Sequence, residues 1–216
     1  MEDIRKSQFI LASASPRRRD LLRKAGYCFE IVPSNVDESA YGTENITSAE
    51  HTKILALAKA KDVAARFPNA VVVGSDTVVD LDGEIIGKPD DAEHAEVITR
   101  KLFSRPHKVI TGLAFICVDR GIEIVDADTT IVYPRQLTET QIADHITNGQ
   151  WEGKAGAYGI QETGDEFVER IEGSFTNVMG LPMERMQQLL GELGIHSQWP
   201  EARSQGWEPR IDTNEH

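Results

Sequence analysis

The run Ala70-Val71-Val72-Val73-Gly74-Ser75 constrains the chain more than any other stretch of it. Six small or β-branched residues without a charge suit a strand buried on both faces, since successive side chains of a strand point to opposite sides. Such a strand belongs inside a sheet, and Asp76 follows it directly. A carboxylate is thus expected at the end of a buried strand, held in a fixed direction.

Local signals place other elements around it. Residues 8–13 form a short apolar run ending in small residues, a second buried strand. Ser15 caps a helix with Pro16 at its first position, where a missing N–H costs nothing, and the helix runs through Leu21, Leu22 and Ala25 to Gly26. Residues 28–32 read as a strand, followed by a polar loop with Asp37 and Glu38. Thr47-Ser48-Ala49-Glu50 is a capping box, and Ile54, Leu55, Ala58 and Val63 recur at helical spacing after it. Asp82-Gly83 between Val78-Val79 and Ile85-Ile86 signals a hairpin. Asp90-Asp91-Ala92-Glu93 caps a helix to about Phe103, and residues 109–118 and 122–132 make an antiparallel ribbon around Arg120-Gly121. Thr138-Glu139-Thr140-Gln141 caps a helix ending near Gly149, and Pro182 opens a last helix closed by Gly194. Strands and helices interleave with hairpins mixed in, which predicts an α/β fold on a mixed sheet rather than a doubly wound parallel one. A chain of 216 residues suits a single domain, expected over residues 1–196. From Ser197 onward Trp199, Trp207 and Pro209 stand among charges without periodicity, as in a frayed tail.

Charge narrows the function. The chain has 23 Lys and Arg against 35 Asp and Glu, a net charge of −12. Such a surface repels the phosphates of duplex DNA and anionic lipid, so neither nucleic acid nor membrane is expected as a partner. A small polyanion remains possible where positive charge is concentrated. No apolar run approaches the roughly 20 residues that cross a bilayer, and Met1 to Lys6 lead into no secretory core, so a cytoplasmic location is expected. Cys28 and Cys117, each among apolar residues, read as buried free thiols.

Four constellations could carry chemistry. Ser13-Ala14-Ser15-Pro16-Arg17-Arg18-Arg19 combines small residues, a helix N-terminus and three cations. It reads either as a phosphate-binding turn or as a capped surface helix with solvated arginines. Cations in a first helical turn oppose the helix dipole, and an anion is the natural compensation. Asp76, in Gly74-Ser75-Asp76-Thr77, can hold a divalent metal, take a proton from water, or simply begin the hairpin turn; Asp37-Glu38 offers a partner carboxylate. Lys88, in Gly87-Lys88-Pro89, fits a surface lysine as well as a ligand. Residues 153–161 set small residues around Tyr158 and Gln161, which suits either a backbone approached closely by a ligand, with the Gln161 amide reading a base edge, or a bulged strand. The chain has no P-loop, dinucleotide glycine pattern, zinc spacing or nucleophile elbow.

Seven blocks in order give these residues a context: Leu11-Ala12-Ser13-Ala14-Ser15-Pro16-Arg17-Arg18, Val36-Asp37-Glu38, Leu55-Ala56 with Lys59-Ala60, Gly74-Ser75-Asp76-Thr77-Val78-Val79, Gly87-Lys88-Pro89, Lys154-Ala155-Gly156-Ala157-Tyr158-Gly159-Ile160-Gln161 and Gly180-Leu181-Pro182. Together they resemble the Maf family of nucleoside triphosphate pyrophosphatases, relatives of inosine triphosphate pyrophosphatase, over residues 9–193. The resemblance implies an elongated two-lobed α/β fold with a mixed sheet and a central cleft. It implies hydrolysis between the α- and β-phosphates of a nucleoside triphosphate, with Mg²⁺ or Mn²⁺, by a homodimer. It makes Asp76 the proton acceptor and, with Glu38, the metal-proximal acid. Arg18, Lys59 and Lys88 become phosphate-side cations, and Ser13 lies beside the phosphates. Arg17, Thr77 and Gln161 stand where a branch preferring dTTP and UTP differs from one preferring 7-methyl-GTP, and they match the first. A nucleotide-binding regulator of septum formation without turnover is the alternative that the resemblance allows. Ile54, Ala58 and Glu162 depart from the common residues at their positions, the first two on the helix that carries Lys59.

Overall fold

A computed structural model describes residues 8–160 and 167–198. In chain order the elements are β1 (Phe9–Leu11), α1 (Pro16–Lys24), β2 (Phe29–Ile31), a 3-10 turn (Glu38–Ala40), α2 (Ser48–Ala64), β3 (Val72–Leu81), β4 (Glu84–Ile86) and α3 (Ala92–Leu102). There follow β5 (His107–Cys117), β6 (Ile122–Pro134), α4 (Glu139–Thr147), a second 3-10 turn (Ala155–Ala157), β7 (Val168–Glu172), α5 (Phe175–Val178) and α6 (Met183–Glu192). Helices begin where the sequence offers caps. Ser15 accepts from the Arg18 N–H and Asp91 from the His94 N–H. Thr47 with Glu50, and Thr138 with Gln141, close reciprocal capping boxes.

The sheet has seven strands in the order β2-β1-β3-β5-β6-β7, with β4 also on β3. β1 runs parallel to both β2 and β3, and the remaining pairs are antiparallel. The mixed sheet expected from the hairpins is therefore the one that forms. One edge of β3 is paired with β5 from Val72 to Asp80. The other is shared: β1 pairs only at Val72 and Val73, and β4 only from Val79 to Leu81. Between them residues 74–78 have no strand beside them on that edge, and a central cleft opens there.

Three clusters of buried residues follow from the alternation along β3 and β5. Leu11, Leu21, Val73, Phe115, Met186 and Leu190 pack on one face under α1 and α6. Ala56, Ala60, Val63, Val72 and Ala114 pack on the opposite face under α2. Val79, Leu102, Phe103, Val109 and Tyr158 form a third cluster, on the first face but beyond Asp76. The two clusters that share a face are the cores of the two lobes.

Four expectations are revised. β3 does not stop at Ser75; Asp76 lies in the middle of a ten-residue strand, since Val78 and Val79 belong to the same strand as the apolar run. The face that α2 buries is not the apolar stripe alone. Ile54 is exposed and Ala58 half-buried, while His51, Thr52 and Lys59 are buried beside Leu55, Ala56 and Val63. Cys117 is a buried free thiol, but Cys28 is only half-buried. Ser197 and Gln198, placed in the tail, are anchored: Ser197 Oγ donates to Ala25 O and Gln198 N to Gly26 O. The rest of that tail lies outside the described residues.

Two glycines set how closely α2 approaches the sheet. A Cβ on Gly74 would lie 2.1 Å from Ala56 O, and one on Gly112 would lie 2.3 Å from Thr52 O. Since real side chains do not approach backbone oxygens that closely, Gly112→Ala should lower unfolding free energy by about 3 kcal/mol or more, as measured by urea denaturation. A second prediction concerns His107, whose Nε2 lies 2.6 Å from the Tyr158 hydroxyl in the third cluster. Burial lowers its pKa to about 4. The unfolded chain therefore binds one more proton than the folded one between pH 6.5 and about 4, and stability falls as pH falls through that window. Melting temperatures taken across it should show a shallower slope in His107→Gln.

Candidate active site

The cleft is a cavity of about 820 Å³, within the range that holds a small-molecule ligand. Arg17, Arg18, Lys59, Lys88 and Lys154 line it, against Glu38, Asp76 and Glu152. A wall with more cations than acids, in a chain of net charge −12, concentrates positive potential where a polyanion would enter.

At the centre is Lys59. It is 8% exposed, and its Nζ lies 2.7 Å from Asp76 Oδ1 and 2.7 Å from Glu38 Oε1. Asp76 comes from the middle of β3, where it points with Gly74 and Asp80 toward α2. Glu38 comes from the 3-10 turn, whose first N–H groups Asp37 caps through Ser39. Of the two acids in that loop, then, Glu38 faces the cleft and Asp37 holds its turn. Partial burial pushes the Glu38 carboxyl upward, but the hydrogen bond and charge of Lys59, with Lys88 and Arg18 beyond, outweigh it and hold Glu38 below its ordinary range. The departures at Ile54 and Ala58 do not keep α2 from the site, since His51, Leu55 and Lys59 line the cavity from one face of it.

Arg18 does something the sequence did not announce. Along the split edge of β3, Val71 O accepts from Ile10 N and Val73 O from Ala12 N. The next carbonyl on that edge, Ser75 O, accepts instead from Arg18 Nη1 at 2.8 Å. The same guanidinium donates to Ser13 Oγ at 3.2 Å, to Thr77 Oγ1 at 2.9 Å and, from Nε, to Gly180 O at 2.8 Å. Arg18 thus continues the ladder where β1 ends, with four N–H groups committed to the protein. Burial lowers its pKa, an effect that Asp76 opposes and its neighbour Arg17 reinforces.

The remaining expected residues distribute as follows. Ser13 and Thr77 belong to the Arg18 network, Thr77 also pairing with Thr111 Oγ1 at 2.9 Å. Lys88 is exposed in the loop after β4, and Gly87 O of that loop accepts from Gly156 N at 3.0 Å, which joins it to the glycine-rich segment. Arg17 is exposed on α1 at the cavity wall. Gln161 lies outside the described residues, as does Glu162. Sequence reasoning passed over several lining residues, His51, Glu152 and Lys154 among them. The spacing of four between His51, Leu55 and Lys59 was the signal for the first. Lys154 was hidden in a block read for its glycines.

Carboxylate oxygens are hard donors that suit Mg²⁺ or Mn²⁺, which take few protein carboxylates and complete their shells with water and phosphate; here Asp76 and Glu38 each turn one oxygen to Lys59 Nζ and have a second oxygen to offer. Asp76 and Glu38 could hold such an ion. Among the described residues no third His, Cys, Asp or Glu joins them, so the donor set fits an ion shared with a bound phosphate chain rather than one caged by protein.

The family model described as Maf-like protein matches residues 8–193. The dTTP/UTP pyrophosphatase of Moorella thermoacetica is 44% identical over 189 residues, 88% of this chain and 96% of that protein. The dTTP/UTP pyrophosphatase of Dictyoglomus thermophilum is 43% identical over 189 residues, again 88% of this chain and 97% of the relative. Among solved structures, the Ham1 protein of Staphylococcus aureus overlaps 59% of this chain and 72% of its own, with a TM-score of 0.41 and 16% identity.

A lysine cannot span four acceptors on three segments as a guanidinium does. Arg18→Lys should therefore cost about 2 kcal/mol of stability, while Arg17→Lys on the exposed side of the same helix leaves the melting temperature unchanged.

Proposed function

The chain belongs to the Maf family, and we propose that it is a nucleoside triphosphate pyrophosphatase that hydrolyses dTTP and UTP to the monophosphate and pyrophosphate. The observation that carries this reading is the Lys59 ammonium held between Asp76 and Glu38 inside a cavity rich in cations. The preference for dTTP and UTP is supported by the relatives that carry that activity in their names, and by Arg17 and Thr77, which match that branch and line the cavity.

Hydrolysis of a phosphoanhydride needs its negative charge offset, a water aligned in line with the leaving oxygen, and a group to take the water's proton. Asp76 fits the last role best. Its carboxylate sits in mid-strand, 6% exposed, so its direction is fixed by β3. The water oxygen bonds to the α-phosphorus, the P–O bond bridging the α- and β-phosphates breaks with its electron pair leaving on the departing pyrophosphate, and the water's proton passes to Asp76. Lys59 holds Asp76 and Glu38 in place and offsets part of their charge. Lys88 faces the same centre and offsets charge on the phosphates. A divalent cation held by Asp76 and Glu38 would neutralise phosphate oxygens and polarise the phosphorus. The reading carries with it a role in nucleotide metabolism, a cytoplasmic location where free nucleotides are found, and the family's homodimer. No helix among the described residues is long and apolar enough to cross a membrane.

The test is pyrophosphate release from dTTP, UTP, CTP, GTP, ITP and 7-methyl-GTP with Mg²⁺ or Mn²⁺. Turnover of dTTP and UTP is expected to exceed that of the purines, and Asp76→Asn to lower kcat by roughly a hundredfold or more while dTTP still binds. Nucleotide binding by the unaltered protein with no turnover of any of the six would instead leave the nucleotide-binding regulator.

A further inference from the structure

One polar ring on the cavity wall has no part in the hydrolysis. His51 lines the cavity from α2, on the same face of the helix as Leu55 and Lys59. It is 7% exposed, and its Nδ1 is buried without a hydrogen-bond partner. Its Nε2 makes no hydrogen bond among the described residues, and unlike Nδ1 it is not enclosed. Buried N–H groups without an acceptor are rarer than buried lone pairs without a donor, so the ring proton belongs on Nε2, the nitrogen left to face the cavity. A histidine so placed adds no hydrogen bond to the fold and holds out one donor.

The register of α2 against the sheet shows what that donor meets. Ser48 Oγ donates to Asp80 Oδ2, Gly112 opposite Asp76 lies against Thr52 O, and Gly74 lies against Ala56 O, so α2 runs antiparallel to β3. His51 therefore stands between the levels of Asp76 and Asp80, on the face of β3 that Asp76 shares. Thr77 points to the other face, where its hydroxyl meets Thr111 Oγ1 and Gly180 O ahead of α6. In the pyrophosphatase reading the α-phosphorus stands at Asp76, and the nucleoside, its base matched to Arg17 and Thr77, extends toward the Thr77 face. The two outer phosphates are left the space along α2, toward His51 and the hairpin loop that carries Lys88.

We propose that His51 donates from Nε2 to the pyrophosphate portion of the bound nucleotide, which makes it a substrate-binding residue. The identity of the anion rests on the pyrophosphatase reading; the open donor does not. Phosphate oxygens are anionic acceptors, and a hydrogen bond to one is roughly twice as strong as one between neutral groups.

Calorimetry with inorganic pyrophosphate and Mg²⁺ needs no turnover. In His51→Gln the amide nitrogen falls close to the place of Nε2 and can still donate; in His51→Asn the side chain ends near Nδ1 and falls short. His51→Asn should raise the Kd for pyrophosphate roughly tenfold and His51→Gln by about threefold or less, with the Kd for dTMP unchanged in both. His51→Leu removes two nitrogens that bond to no protein group, so its melting temperature should match or exceed that of the unaltered protein while its pyrophosphate binding falls as in His51→Asn. Equal pyrophosphate binding by every variant overturns the proposal, and so does an equal loss for pyrophosphate and dTMP, which marks a general disturbance of the cleft. A loss confined to dTMP overturns it too, by placing the ring on the nucleoside. The comparison of His51→Asn with His51→Gln stands even where His51→Leu fails to fold. Pyrophosphate binding lost in His51→Asn and kept in His51→Gln, from a protein that hydrolyses no nucleotide, would uphold the donor and overturn the pyrophosphatase reading; turnover of dTTP with pyrophosphate binding unchanged in all variants would do the reverse.

Discussion

The close contact between α2 and the sheet underlies everything in the cleft. At Gly74 and Gly112 the helix backbone lies against the strand backbones with no side chain between them. A residue one turn along α2 from Ala56 is thereby brought to the plane of Asp76, and a lysine at that place reaches it at 2.7 Å. Any side chain at either glycine would lift the helix by the width of a methyl group or more. The ammonium would then have to leave one carboxylate or both, and two acids in a shared pocket would face each other without compensation. The geometry of the centre is thus a packing property before it is an electrostatic one.

The positive charges divide the work of holding the cleft and filling it. One is neutralised where it stands, between two acids. One closes the split edge of β3, taking a carbonyl that a longer β1 would have taken. Two, Arg17 and Lys154, come together beside Gly159. A count of basic residues would treat all of them alike; their hydrogen-bond partners distinguish them.

The elements set by local chemistry were legible in the sequence. Capping residues at Ser15, Thr47, Asp91 and Thr138 mark helix starts because the bonds they make span three residues. The hairpin at Asp82-Gly83 is local for the same reason. What was not legible depends on partners far along the chain. Asp76 looked like a strand end, since a charge inside a buried strand is unfavourable alone, and its compensation comes from Lys59 on another element. The buried face of α2 contains His51, Thr52 and Lys59 because it faces a polar site, so an apolar stripe was the wrong guide to it. Whether an arginine after Ser-Pro grips a ligand or a carbonyl depends on where the neighbouring strand stops, and Arg18 gives no local sign of it. Gln161, which the family pattern assigns to the base, falls outside the described residues.

β3 and β5 run side by side without a break beneath the cleft, from one lobe into the other. A loop joining two lobes would let them swing as rigid bodies between distinct positions. A pair of hydrogen-bonded strands behaves instead as a leaf spring, whose resistance rises with every degree of bend and which has a single position of rest. Arg18, tied to Ser13, to Gly180 and to β3 itself, braces that spring at the cleft. Such a floor yields by degrees to a ligand of larger girth and returns unaided once the ligand has gone.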